Sequence, residues 1–345
     1  MFDEVIVKIL AAINQKSISK DIYPKFSGEG YSAYKIDLEN FHQIQKINSN
    51  KKIAFVDGGS AEIIGSANFS LNLIRVCCVI YQNSKKLSFK RFEVLALVQA
   101  VSEDNEIFYK TFFFKTGNSI DLHEISFSSF DRTIMVGINR AEIGNVANAI
   151  RRFAELRLAR AVAEGKTADI IVMDGNLQST LTGENQYLSG LYEPCEKNKV
   201  LLSALGKTNA LFTDDGDLLS AVLGNMGQID SWFYHPIAEI SSLNHKAEIF
   251  FVKLHEKSRH IFRLEIFNRQ KADAEEIINA LAGNCADPIF IGYPYGLVEA
   301  DRIARIGKNE RESLKARFLF KLQDKNIEKY LGSKNAHEIL DRISF

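Results

Sequence analysis

Proline and cysteine are scarce in this chain, with five prolines and four cysteines among 345 residues. No Pro/Gly/Ser-rich stretch or low-complexity tract is present, so no linker offers a clean domain cut. The cysteines, Cys77, Cys78, Cys195 and Cys285, show no CxxC spacing, and an adjacent pair cannot readily bridge within a strand. This argues against a zinc module and a secreted disulfide scaffold, and predicts reduced thiols in a cytoplasmic protein. No apolar run approaches the roughly eighteen residues that a membrane-spanning helix needs. The N-terminus MFDEVIVKILAAINQ also lacks the basic start of a secretory signal. Charge of one sign does not dominate: 43 Lys plus Arg balance 43 Asp plus Glu, so any surface for a polyanion must be local. The seven histidines show no HxxxH-type spacing, which makes a His-ligated metal an unfavoured reading.

What is present is a chain that is 46% hydrophobic, enough for a sizeable core. Val5, Ile6, Ile9, Leu10 and Ile13 follow a helical period and predict a packed N-terminal helix, followed by a polar stretch to about residue 50. Strand-like runs come next at 52–57, 72–81, 91–101 and 106–114, the later ones separated by short polar turns as in an antiparallel meander. From about residue 139, Ile143, Val146, Ile150, Phe153, Leu156 and Val162 recur near a 3.6 period and stop at Gly165. They predict a long amphipathic helix leading into the strand ADIIVMDG. A strand at 200–205, a helix over DLLSAVLG, strands in SWFYHPI, AEIFFVKL and HIFRLEIF, and helices over 273–282 and 310–342 complete the pattern. The fold class expected is α/β: a mixed sheet with flanking helices and helical additions at both ends.

Two apolar runs end alike, in IAFVDGGS and IIVMDGNL. Asp-Gly is a strong hairpin signal, yet neither run is followed at once by a convincing second strand. A carboxylate at the end of a buried strand is expensive unless a cation partners it. Were the two strands neighbours, Asp57 and Asp174 would face one another, and a divalent cation would relieve their repulsion. Both are candidate ligands of the hard-oxygen kind suited to Mg²⁺ or Mn²⁺. Glu155, in IRRFAELRL on the intervening helix, is either a third ligand or a solvated helical residue.

The order VDGGS, RRFAE, DIIVMDGNL, LSALGKT, FRLEI and IGYPYGLVEADRIARI, over roughly residues 50–310, is similar to the NurA-type nucleases. The resemblance implies an RNase H-like core over 51–310, with an N-terminal helical extension (1–50) and a C-terminal helical segment (311–345). It implies a Mn²⁺-dependent site, Mg²⁺ being the other candidate, with two ions. It also implies 5′-3′ exonuclease and single-strand endonuclease action on DNA, in a homodimer docked on a hexameric HerA-type ATPase during double-strand break resection. By motif, Asp57, Glu155 and Asp174 fall on the family's carboxylates, and Lys207 falls on its Lys-Thr segment as a phosphate contact. A histidine is expected where this chain has Asp301, and commonly a proline where it has Gly296. Asp301 is thus either a fourth ligand or the cap of a helix DRIARIG. Tyr293 and Arg263 lie in matching segments.

The chemistry expected is metal-assisted phosphodiester hydrolysis. Arg302, Arg305, Lys308, Arg311, Lys315 and Arg317 form either a local polyanion surface, with Arg302, Arg305 and Tyr293 among the nucleic-acid contacts, or a mixed-charge solvated helix, since Glu310 and Glu312 are interspersed. Two rivals remain: another RNase H-like nuclease, cutting RNA or junctions, and a non-catalytic adaptor of the ATPase.

Overall fold

The computed structural model describes residues 2–14, 21–45, 49–207 and 210–321. The chain begins with α1 (Phe2–Asn14) and three short strands, β1 (Pro24–Lys25), β2 (Tyr31–Ala33) and β3 (Phe41–Gln43). A meander follows: β4 (Ile53–Gly65), β5 (Phe69–Gln82), β6 (Lys85–Glu103), β7 (Glu106–Lys115) and β8 (Ser126–Ser128). The helical part is interleaved with shorter strands: α2 (Val146–Glu164), β9 (Ile170–Asp174), α3 (Glu184–Asn198), β10 (Leu201–Gly206), β11 (Phe212–Thr213) and α4 (Leu219–Met226). The described chain closes with β12 (Trp232–Tyr234), β13 (Ala238–Ile240), β14 (Ala247–Lys253), β15 (Phe262–Phe267), α5 (Ala274–Ala282), α6 (Tyr295–Ala304) and α7 (Lys308–Lys321).

Eleven strands form one sheet in the order β3-β12-β14-β15-β10-β9-β4-β5-β6-β7-β8. It is mixed: β9 runs parallel to both β4 and β10, while the remaining pairings are antiparallel. The parallel centre explains why IAFV and IIVM read as unbroken apolar runs, since strands covered on both faces do not alternate in polarity. Alternation is still visible in where the residues go. Ala54, Val56, Ile171 and Met173 pack beneath α2 and α3, whereas Ile53, Phe55, Ile170 and Val172 pack beneath α5 and α6. On α2, Ile150, Phe153 and Leu156 are fully buried, and each contributes about 1.5–3 kcal/mol.

Several expectations change. β4 does not stop at Asp57 but continues to Gly65, and Asp57 pairs opposite Cys77 within a long antiparallel ladder. The tight turn lies at its far end, where the Ser66 N–H donates to the Phe69 carbonyl. Val5, Ile6, Ile9 and Leu10 of α1 do not pack on the core but are about half exposed, and the Ile13 side chain lies outside the described residues. The N-terminal fifty residues are not a helical extension throughout, because β1, β2 and β3 pair with β11, β13 and β12. At the other end, α7 crosses the expected boundary at residue 310, and residues 322–345, part of the expected 310–342 helix, lie outside the described residues. The four cysteines are free and buried. No helix among the described residues is long and apolar enough to cross a membrane.

Candidate active site

The parallel ladder between β4 and β9 runs from Ile53 opposite Ile170 to Val56 opposite Met173. The next residues on the two strands are Asp57 and Asp174. Their side chains share the parity of Phe55 and Val172, which places both on the α6 side of the sheet. Asp57 is 3% exposed, and its own Oδ1 accepts from the Gly58 N–H at 2.7 Å. Asp174 is the last residue of β9, and Gly175 turns the chain away with φ 101°, a conformation that suits glycine.

Lys207, just beyond β10, reaches back to this pair. Its Nζ lies 2.8 Å from Asp174 Oδ2, 3.5 Å from Asp301 Oδ1 and 4.0 Å from Asp57 Oδ2. Burial alone would depress its ionisation, but the bond to Asp174 and the charges of Asp174, Asp57 and Asp301 hold Lys207 above its usual value.

Glu155 arrives from the opposite face, on α2. Gly58 makes this possible, because a Cβ at that position would sit 2.6 Å from Glu155 Oε1. At Gly59 a Cβ would lie 2.4 Å from the Ala304 carbonyl of α6. The two glycines after Asp57 therefore let a helix approach the strand from each side. Glu155 is buried, pairs with Arg151, and lies 3.8 Å from Arg152 Nη1. Arg152 also bonds Glu184 at 2.7 Å and the Asn176 carbonyl at 2.6 Å. Glu184 in turn accepts from the Thr180 and Leu181 N–H groups. This network ties α2 to the loop that leaves Asp174.

The electrostatics show a shortage of positive charge. Burial, then the charges of Asp174 and Glu155, push the Asp57 carboxyl up to about 8, against the pull of Lys207 and the Gly58 N–H. Glu155 is also raised, by burial first and partly by Asp174, although Arg151 and Arg152 oppose the shift. Tyr293 is buried with its hydroxyl lacking a hydrogen-bond partner among the described residues. Burial and the charges of Asp174, Asp57 and Asp301 push its ionisation up.

A hard divalent cation suits these oxygen donors and this deficit. Among the described residues, however, no group of three or more Asp, Glu, His or Cys side chains is arranged to hold a metal ion as it stands. The Lys207 ammonium lies among the carboxylates instead, as a monovalent stand-in. The donor chemistry fits Mn²⁺ or Mg²⁺, provided that Lys207 gives way.

The other expected residues fall differently. Asp301 does not cap a helix: it lies inside α6, whose N-cap is Pro294, and it accepts from Arg305 at 2.7 Å. Tyr293 is packed within the core rather than presented to a ligand. Arg302 and Arg305 point outward, paired with Glu299 and Asp301. Glu310 binds Arg75 rather than a neighbour in α7. These pairings favour the mixed-charge reading of this segment. A Cβ at Gly296 would meet the Phe55 ring at 2.0 Å, so the backbone here is too close to the sheet for a side chain.

Sequence reasoning missed Arg151, Arg152 and the relay from half-buried Tyr31 to buried His245 and Glu265. The Tyr31 hydroxyl lies 2.8 Å from His245 Nδ1, and His245 Nε2 lies 3.0 Å from Glu265 Oε2. Glu265 also accepts from the Leu177 N–H at 2.7 Å and pairs with Arg263. Burial alone would raise this carboxyl, yet Arg263, His245 and Leu177 hold it down at about 2. A glutamate inside the apolar strand FRLEIF was the available signal.

Asp57 and Asp174 on adjacent parallel strands of a mixed sheet, with Lys207 and two helical arginines beside them, form a cluster of opposite charges. A NurA domain matches residues 51–306, and the chain belongs to the NurA family of nucleases. Its structure resembles the NurA nuclease from Sulfolobus solfataricus with a TM-score of 0.54 and 18% identity, covering 93% of this chain and 94% of that one. Two more distant matches are to endonuclease V. The Ciona intestinalis enzyme, solved with an inosine-containing 24mer DNA, has a TM-score of 0.37 and 13% identity over 75% of this chain and 89% of that one. The catalytic domain of human endonuclease V has a TM-score of 0.34 and 10% identity over 76% and 84%. No curated protein matches the chain.

Proposed function

We propose that this chain is a metal-dependent deoxyribonuclease that hydrolyses phosphodiester bonds at DNA ends. The observation that carries the reading is the buried Asp57 beside Asp174 on adjacent parallel strands, with Lys207 bridging them. Asp57, Glu155 and Asp174, with Asp301 beside them, are the groups that would hold Mn²⁺ or Mg²⁺. When bound, such cations supply Lewis-acid stabilisation of charge building on the phosphate and acidify water. Lys207 exchanges Asp174 for a non-bridging phosphate oxygen and neutralises it. Arg151 and Arg152 oppose the upward push of burial on the Glu155 carboxyl and orient it. Asp174 and Lys207 line the same cavity as both arginines, so the scissile phosphate enters from that side. Water adds to phosphorus, the bond to the 3′ oxygen breaks, and a proton passes to that oxygen.

Exonuclease action from 5′ ends, single-strand cleavage, a homodimer and docking on a HerA-type hexameric ATPase come with the family resemblance and belong to the same proposal. The experiment is digestion of a 5′-labelled duplex and a 5′-labelled single strand with Mn²⁺, by the parent and by Asp57→Ala and Asp174→Ala. Loss of at least a hundredfold in each variant supports the reading; digestion at the parent's rate refutes it. Failure to co-elute with a HerA-type ATPase would remove the assembly claim and leave the chemistry.

One observation favours a second reading, a non-catalytic adaptor: Asp301 stands where the resemblance leads to a histidine. A parent protein inert on every DNA form with Mn²⁺ or Mg²⁺, yet bound to the ATPase, would favour it.

A further inference from the structure

The cavity that contains Asp174, Glu155 and Lys207 extends well beyond them. At about 1020 Å³ it is at the upper limit for a small-molecule pocket, about 300–1,000 Å³. Its far wall is formed by Lys25, Phe26, Tyr31, Phe212 and Arg263, none of which takes part in the chemistry above. The wall comes from three segments far apart in sequence, two of them joined by the β1–β11 ladder and the third carrying Arg263 on β15. In that ladder Lys25 is directly opposite Phe212, so a cation and an aromatic ring emerge side by side on one face. Phe212 is 47% exposed.

The second aromatic element is rigid. Phe26 and Tyr31 stack with ring centroids 4.5 Å apart and planes 5° from parallel. The Tyr31 hydroxyl is pinned by His245, which is held by Glu265, the same carboxylate that binds the Leu177 N–H two residues beyond the Gly175 turn. The stack is thus anchored to the strand that carries the adjoining Arg263. Arg263 pairs with Glu265 through Nη2, while its buried Nε–H has no hydrogen-bond partner among the described residues.

Aromatic faces beside cations are what an unpaired polynucleotide strand requires. Bases stack on the rings without regard to sequence, and phosphates follow the charges. A duplex keeps its bases stacked on one another and offers this wall no free faces. We infer that the far wall is a subsite for the unpaired end of a DNA strand. Bases stack on Phe212 and on the Phe26–Tyr31 pair, and phosphates lie against Lys25 and Arg263, leading the strand toward Lys207. Tyr31 acts as a positioning residue through His245. The inference rests on the nuclease reading for its choice of DNA as the polymer.

The test measures binding of fluorescein-labelled oligo(dT) by anisotropy in EDTA, beside digestion with Mn²⁺. Phe212→Ala and Phe26→Ala should each weaken binding roughly 5- to 100-fold, the range that one stacked base supplies. Phe212→Trp should bind like the parent, with its fluorescence quenched by the oligonucleotide; the one natural tryptophan, Trp232, is buried in the core. Tyr31→Phe should weaken binding less than Phe26→Ala and leave the melting temperature within a few degrees. If both alanine variants fold and bind within twofold of the parent, the subsite is refuted, even where Asp57→Ala has abolished digestion. If Asp57→Ala digests normally while the anisotropy losses appear, the nuclease reading fails and the subsite stands. Tighter binding of oligo(rU) than of oligo(dT) would overturn the assignment to DNA.

Discussion

Without divalent cations, replacing Asp57 by Asn should shift stability in the variant's favour as pH rises, so that the variant is the more stable protein at alkaline pH. In the fold the Asp57 carboxyl is pushed up to about 8, by burial and then by Asp174 and Glu155, from an ordinary value of 3.8. The folded state therefore holds a proton that the unfolded state has released, and stability falls as pH rises from about 4 to about 8. A shift of about four units corresponds to about 6 kcal/mol at most above pH 8. An asparagine in this buried position still needs hydrogen-bond partners, which offsets about 2–3 kcal/mol of that gain. The net expectation is a loss of about 2–3 kcal/mol at pH 4 and a gain of about 3 kcal/mol at pH 8.5. For a chain of 345 residues that is a rise of about 4 °C in melting temperature. Thermal melts in EDTA across pH 4–9 measure it directly. Adding Mn²⁺ should raise the parent's melting temperature above that of the variant and reverse the order. If the variant melts at or below the parent's temperature throughout the EDTA series, the charge-stressed carboxylate cluster is wrong.

Three other perturbations probe other parts of the structure. Lys207→Met removes the counter-ion of the carboxylates and should destabilise the metal-free protein by about 1–2 kcal/mol at pH 8, the modest size reflecting its partial exposure; digestion with Mn²⁺ should fall about a hundredfold. Gly296→Ala forces a methyl against the Phe55 ring and should lower the urea midpoint by the equivalent of about 1–3 kcal/mol, with partial recovery when Phe55→Leu is added. Arg75, 4% exposed, holds Glu93, Glu310 and the Arg305 carbonyl. Arg75→Met should loosen α7, giving faster tryptic cleavage within 308–321 and a loss of about 1–3 kcal/mol in chemical denaturation.

The two aspartates were legible because the strands before them are covered on both faces, so a lone carboxylate after four apolar residues stood out. Their adjacency was not legible, because it depends on the parallel β4–β9 register, a long-range property. The continuation of β4 past Asp57 was hidden by Gly58 and Gly59, which weaken strand propensity but are needed where Glu155 and α6 close in. Helix α3 escaped notice because Pro194 lies inside it and its apolar residues are sparse. The far wall of the cavity could not be read at all. Lys25 and Phe212 are nearly two hundred residues apart, on strands of two residues each, too short to carry a periodic signal.

The same long-range placement bears on how the fold tolerates its cluster of carboxylates. Four acidic groups gathered around the β4–β9 pair would repel one another and resist folding. Lys207 limits this by lying among Asp174, Asp301 and Asp57, and Arg151 and Arg152 do the same for Glu155. The basic groups of the proposed reaction are thus also the counter-ions of the resting fold. Were the carboxylates to hold cations, the Lys207 ammonium would be free to face a cavity already lined by Arg151 and Arg152. An anionic strand entering that cavity restores the lost pairing. If the proposed function holds, cation and DNA should bind cooperatively, since each would supply the charge partner that the other displaces.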